Sequence, residues 1–214
     1  MNTSKRRLWV RRLSVWTCAA LLAGCAAAPS TPPVLLSLPP AVTPSAAPAA
    51  AAVPNSGPAS AAPHLLAIRR IGIPEYLVAR RVRYRADAST LAEWPNTFWA
   101  ERIEIGVSRE FVSALRQQLP GWAVCESNCG DLQPAVALQV ELAPMDFVRS
   151  TQRLQARARI TLSGGASARV LSTEERVYDL PASADTPQAH AQAMTELIRQ
   201  LAQAVAPLVQ SARP

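Results

Sequence analysis

Between His64 and Val209 the hydrophobic positions follow two periods, alternation at every second residue and recurrence at three and four. The run HLLAIRRIGIP, from His64, reads as a β-strand stopped by Pro74. RVRYRAD alternates, with Arg81, Arg83 and Arg85 on one face and Val82 and Tyr84 on the other. TLAEWPNTFWAE, from Thr90, reads as a strand broken near Pro95-Asn96. From Arg102 to Leu119 the period lengthens: Ile103, Val107, Phe111, Ala114, Leu115 and Leu119 form one stripe of a helix that Pro120-Gly121 ends.

WAVC, AVALQVELAPMDF, RLQARARITLSGG and ARVLSTEERVYDL follow as strands, the middle ones longer than the ~5–6 residues typical of a strand. In the third, Leu154, Ala156, Ala158, Ile160 and Leu162 face one way and Arg153, Gln155, Arg157 and Arg159 the other, so only one face is core. Ser163-Gly164-Gly165-Ala166 suits a hairpin loop. Pro187 to Gln210 carries Met194, Leu197, Ile198, Leu201, Val205 and Leu208 at helical spacing, with Thr186 suited to cap the helix and Pro187 to its first turn. This second helix closes the domain against the sheet. The whole reads as one domain, residues 64–210, within the usual size for a single core and without internal repeats.

Upstream the pattern changes kind. Residues 26–63 hold ten of the 19 prolines and no charged side chain, too little burial to offset ordering entropy, so a partly extended tether is expected. Inside it Val34-Leu35-Leu36-Ser37-Leu38 reads either as a short strand docked back on the domain or as a greasy patch of linker. Further upstream an apolar run, Leu13 to Ala23, follows Lys5, Arg6, Arg7, Arg11 and Arg12. It is about half the ~20 residues a spanning helix needs, and reads as the h-region of an export signal. Leu22-Ala23-Gly24-Cys25 resembles the bacterial lipobox, whose cysteine is acylated and becomes the first residue after cleavage. The alternative is a plain secretory signal with Cys25 incidental. Two acyl chains already hold a protein to a bilayer at ~0.8 kcal/mol per buried CH₂, so lipidated Cys25 tethers the chain without spanning. The expected divisions are 1–24 signal peptide, 25–63 lipidated Cys and linker, and 64–210 domain.

The formal charge of +7 invites a nucleic-acid reading, but five of the 22 basic residues and none of the 15 acidic ones lie in the leader. The remainder is 17 − 15 = +2, an ordinary surface, and no nucleic-acid partner is expected. With Cys18 in the leader and Cys25 lipidated, Cys125 and Cys129 remain. In an oxidising compartment such a pair is most simply a disulfide, with two free thiols as the alternative; CESNC has too few ligands for a metal site.

His64 and His190 belong to no triad or metal spacing, and Glu174-Glu175 point to opposite faces of a strand. No catalytic residue, cofactor or metal is expected. The arginine stripes read either as docking surface for an acidic partner or phospholipid head groups, or as a solvated sheet face. Trp94, Phe98, Trp99 and Trp122 are core filler or partner anchors, with Trp99 and Trp122 better placed for the core. Arg81, Arg83, Arg85, Trp94 and Phe98 are the docking candidates.

The stretch from Ile71 to Trp122 carries Ile73-Pro74-Glu75-Tyr76-Leu77, Tyr84, Phe98-Trp99-Ala100-Glu101, then a helix ending Gln118-Leu119-Pro120-Gly121-Trp122. In this order the features resemble the ABC-type transport auxiliary lipoproteins, in particular the PqiC-type subunit of lipid transport systems. The resemblance implies an α/β domain with two helices packed on a mixed, largely antiparallel sheet. It implies an outer-membrane lipoprotein, not an enzyme, that works with an inner-membrane-anchored MCE-domain protein and its transporter partners to move lipid and maintain the envelope. It further implies a homo-oligomeric ring, and Ala26 is not the Asp that would retain the lipoprotein at the inner membrane. The alternatives are a lipid-anchored periplasmic hydrolase and an accessory lipoprotein of another outer-membrane export system. A wholly free tether of some 38 residues would let the domain stand roughly 35 Å off the bilayer; docking of Val34–Leu38 would bring it closer.

Overall fold

The computed structural model describes residues 31–41, 64–126, 129–165 and 168–212. The leader, Cys25 and most of the Pro/Ala segment lie outside the described residues. The elements in chain order are β1 (Val34–Leu36), β2 (His64–Ile68), a 3₁₀ turn (Glu75–Leu77), β3 (Arg81–Arg85), β4 (Leu91–Trp99), α1 (Ile103–Gln118), β5 (Trp122–Glu126), β6 (Val136–Val148), β7 (Arg153–Gly164), β8 (Val170–Pro181) and α2 (Pro187–Ser211). They form a single domain of two helices and one mixed eight-stranded sheet.

Strand β6 is the spine. Along one edge it pairs antiparallel with β7 from Val136 to Val148, and β7 pairs antiparallel with β8. Its other edge is shared. Val136–Leu138 pairs parallel with Leu66–Ile68 of β2, which continues to β5; Val148 pairs with Arg85 of β3, which continues to β4 and β1. The sheet therefore forks. Ala143-Pro144 lies between those two arms, in a bulge of β6 opposite β7. A proline that cannot donate to a ladder is tolerated at such an interruption.

The alternating apolar rows and the helical stripes meet in one core. Leu66, Val82, Leu138, Leu142, Leu154, Ala158 and Ile160 from the strands join Val107, Phe111 and Leu115 of α1 and Leu197, Leu201 and Val205 of α2, all nearly inaccessible to solvent. The polar positions of β7 alternate with them and remain outside. Thr186 Oγ1 accepts a hydrogen bond from Ala189 N at 3.1 Å and Pro187 occupies the first turn, the cap expected from the sequence. Gly121, at φ +84°, turns the chain from α1 into β5 through a conformation that side chains other than glycine rarely adopt. No helix among the described residues is long and apolar enough to cross a membrane.

Of the two readings of Val34–Leu38, the structure adopts the strand. β1 pairs parallel with β4, Val34 opposite Thr97 and Leu36 opposite Trp99. Leu36, Leu38 and Ala41 are buried. Three hydrogen bonds fasten the backbone: Ala100 N donates to Leu36 O at 2.8 Å, Thr195 Oγ1 to Pro39 O at 3.0 Å, and Ala41 N to Glu110 Oε2 at 3.0 Å. The segment thus crosses from the sheet to both helices. The stand-off of roughly 35 Å for a fully free tether does not apply.

Candidate functional site

Sequence reasoning gathered its docking candidates on β3 and β4, and those strands meet in a network of arginines, aromatics and carboxylates. Tyr76, on the 3₁₀ turn, donates its hydroxyl to Asp146 Oδ1 at 2.8 Å. Arg85 Nε donates to Asp146 Oδ2 at 2.8 Å, and its guanidinium lies 5.9 Å from the Tyr76 ring centroid. Arg83 donates from Nη1 to Tyr76 O at 2.7 Å and from Nε to Glu93 at 3.3 Å. Burial and the hydrogen bond to Asp146 push the Tyr76 hydroxyl up to about 12, while Asp146 holds the Arg85 guanidinium above its ordinary range.

Arg85 is tied inward to buried Asp146, and Arg83 joins Tyr76 to the surface carboxylate Glu93, so both clamp the turn to β3 and β6. Trp94 is only 5% exposed, stacked between Tyr84, with centroids 5.0 Å apart, and Phe147, at 6.4 Å. A bulge follows it and lets Trp94 and Trp99 both face inward: between the pairs Arg83 to Glu93 and Arg81 to Phe98, the four residues Trp94–Thr97 face the single Val82. Asn96, at φ 50°, takes up the extra chain. The alternation of β4 therefore changes phase, turning Trp94, Thr97 and Trp99 inward and Phe98 outward. The strand does not break at Pro95-Asn96; it bulges.

Arg81 and Phe98 remain at the surface. The Arg81 guanidinium lies 5.1 Å from the Phe98 ring centroid and pairs with Glu93 at 3.3 Å, its side chain half exposed. Trp99 and Trp122 are core residues. Cys25 lies outside the described residues. Cys125 and Cys129 are joined as a disulfide with Cα atoms 5.4 Å apart, at the end of β5.

Two residues that the sequence did not single out organise this region. Asp146 is buried at the end of β6 and receives both Tyr76 and Arg85. Arg149 covers the outer side of the aromatic stack, 4.5 Å from the Trp94 centroid and 4.8 Å from that of Tyr84, and donates to Asp185 at 2.9 Å. The legible signal for the first was an aspartate between Met145 and Phe147, in the apolar end of its strand. Arg149 had none, since its partners lie up to 65 positions away.

The remaining charged groups are dispersed. Glu174 pairs with Arg176 and Glu175 with Arg159, so the adjacent carboxylates do not converge. His190 is fully buried against Phe147 and Trp99, its Nδ1 without a hydrogen-bond partner, and burial pushes the imidazole down to about 3. Among the described residues no three His, Cys, Asp or Glu side chains are grouped to hold a metal. Two open clefts flank α1. One, of about 500 Å³, lies at its head between Val78, Arg80, Trp99 and Glu104, the last buried and ion-paired to Arg102. The other, of about 440 Å³, lies between the end of β2 and Ile105, Arg109 and Val112. At the far side of the sheet, β8 presents an edge twelve residues long with Val170, Leu171 and Val177 exposed, the last by 75%.

The fold has solved counterparts. An uncharacterized protein superposes with a TM-score of 0.65 at 16% identity, covering 84% of this chain and 99% of that one. Protein XCC0632 from Xanthomonas campestris, of the DUF330 family, gives 0.61 at 15% identity over 84% of this chain and 95% of its own. At such identities the likeness is one of fold. No curated protein matches the chain. The profile of the ABC-type transport auxiliary lipoprotein component matches residues 45–206, three quarters of the sequence and the whole run from β2 into α2. This chain therefore belongs to the family of ABC-type transport auxiliary lipoprotein components.

Proposed function

We propose that the protein is the outer-membrane lipoprotein of an MCE-type intermembrane lipid transport system, and that it acts by docking rather than by catalysis. Family membership supports an auxiliary role in an ABC-type transporter. Leu22-Ala23-Gly24-Cys25 supplies the lipid attachment point, and Ala26 after it favours the outer membrane. The observation that carries the docking role is the free edge of β8. Twelve residues long and unpaired among the described residues, it exposes three large apolar side chains, Val170, Leu171 and Val177, between its charged ones, which supports a role as a template for another chain. The interior is filled by the packed core, and the clefts beside α1 lie at the surface. Lipid consequently passes through a partner or through a ring of copies.

Crosslinking followed by pull-down of the lipidated protein from envelope membranes tests this reading. Recovery of an MCE-domain protein, weakened when Val177→Arg is introduced on the β8 edge, is the expected result. Recovery of an unrelated export machinery, or of no transporter component at all, overturns it.

A further inference from the structure

Three residues stand side by side across the first three strands of one arm of the sheet. Leu35 of β1 is in register with Phe98 of β4, and Phe98 with Arg81 of β3. Directly opposed residues share a face, and here it is the outward one, because the neighbours Leu36, Thr97 and Trp99 are buried. Leu35 is 58% exposed, Val34 beside it 42%. The row runs from bare aliphatic at the sheet edge, through an aromatic ring, to a guanidinium laid over that ring at 5.1 Å.

Chain length decides what this row meets. Val34 follows Cys25 by nine positions, 34 − 25. A chain of nine residues spans at most about 30 Å when fully extended. A cysteine acylated in a leaflet therefore keeps β1 within about 30 Å of the membrane, whatever path the intervening residues take. We propose that the outward row of Leu35, Phe98 and Arg81 is a membrane-contact surface that seats the β1 edge on the phospholipid leaflet in which Cys25 is anchored. Leu35 enters the boundary of the acyl chains, Phe98 sits at head-group level, and the Arg81 guanidinium, laid over the Phe98 ring and beside Glu93, faces lipid phosphate. The inference rests on lipidation at Cys25 and assigns Arg81 and Phe98 to lipid rather than to a protein partner. The β8 edge, five strand spacings or about 24 Å across the sheet, is thereby turned away from the bilayer and left for other chains.

The test uses the full lipidated protein reconstituted into vesicles of phosphatidylethanolamine and phosphatidylglycerol, with no other protein present, so that its outcome is separate from that of the pull-down. An environment-sensitive fluorophore is placed on Leu35→Cys, and in a second preparation on Val177→Cys. Both side chains are exposed, and matching thermal unfolding with the unsubstituted protein confirms the fold. Quenching by nitroxide-bearing lipid is expected to be at least threefold stronger at position 35 than at 177, with a blue-shifted emission at 35 alone. Equal and weak quenching at both positions, in protein that still floats with the vesicles, overturns the proposal. So does a label at 35 that is unquenched but crosslinks to a second copy, which makes the row a protein interface instead.

Discussion

His190 lies flat against Phe147, ring centroids 4.7 Å apart and planes inclined by 23°, with the edge of Trp99 closing the other side. The imidazole is held neutral because burial opposes its charge, and its pKa falls to about 3 from the ordinary 6.5. The unfolded chain thus binds a proton below pH 6.5 that the folded chain refuses. Stability from this group is complete above 6.5 and is lost progressively as pH falls towards 3. Between pH 7.5 and pH 5 the loss is about 2 kcal/mol, at ~1.36 kcal/mol per pH unit below 6.5. Urea unfolding at the two pH values measures it, and His190→Phe is expected to remove most of the difference.

The clamp on the 3₁₀ turn makes a second set of expectations. Tyr76→Phe removes one hydrogen bond to a carboxylate and is expected to cost about 1–2 kcal/mol. Asp146→Ala strands both Tyr76 and Arg85 and is expected to cost about 2–4 kcal/mol. Arg85→Glu, which a docking role would have made harmless to the fold, instead sets a carboxylate against Asp146 and lowers the unfolding midpoint at least as much. Chemical denaturation of the three variants checks the order.

Leu36 and Leu38 carry the docked N-terminal segment, each nearly inaccessible. Replacing both by Ala is expected to destabilise the domain by about 4 kcal/mol if each loses the lower end of the usual cost of a buried leucine. The more specific sign is local. Limited proteolysis should cut between Pro33 and Ala41 in the variant and spare that stretch in the parent, because β1 is released before the core opens.

For the disulfide, mass spectrometry of the non-reduced peptide containing Cys125 and Cys129 is expected to find it two hydrogens lighter than the dithiol. The bridge closes a loop with a sequence separation of 4, so its removal by Cys125→Ser with Cys129→Ser should cost no more than about 2 kcal/mol in the chain-entropy account. A larger loss in thermal or urea unfolding argues that the bridge shapes the end of β5 as well as closing a loop.

The long strands β6, β7 and β8 and both helices were legible in the sequence because each carries enough periods to name its type and buried face. Leu154, Ala156, Ala158, Ile160 and Leu162 point inward as their alternation requires. At the apolar cluster Val34–Leu38 the sequence left the docked strand as one of two readings. Three residues hold no periodicity, and the fate of such a cluster depends on a distant edge such as β4. The shared inward face of Trp94 and Trp99 was hidden for a related reason: alternation assigns faces only while the register holds, and the bulge at Asn96 shifts it in mid-strand. The inward tie of Arg85 was hidden because Asp146 lies 61 positions beyond it, and an alternating strand shows which side its arginines take but not what stands opposite.

The docking of β1 onto β4 also imposes an order of events on biogenesis. Thr97 follows Val34 by 63 positions, 97 − 34, so a chain made from its N-terminus presents the β1 segment long before the strand that will hold it exists. During that interval β1 has no β4 to pair with, and the proposed processing at Cys25 would act on a chain not yet docked. Once β4 arrives and β1 locks down, only the eight residues from 26 to 33 separate the cysteine from a folded body. On the proposed lipidation, acylation before β1 docks gives the cysteine a longer reach than acylation after it.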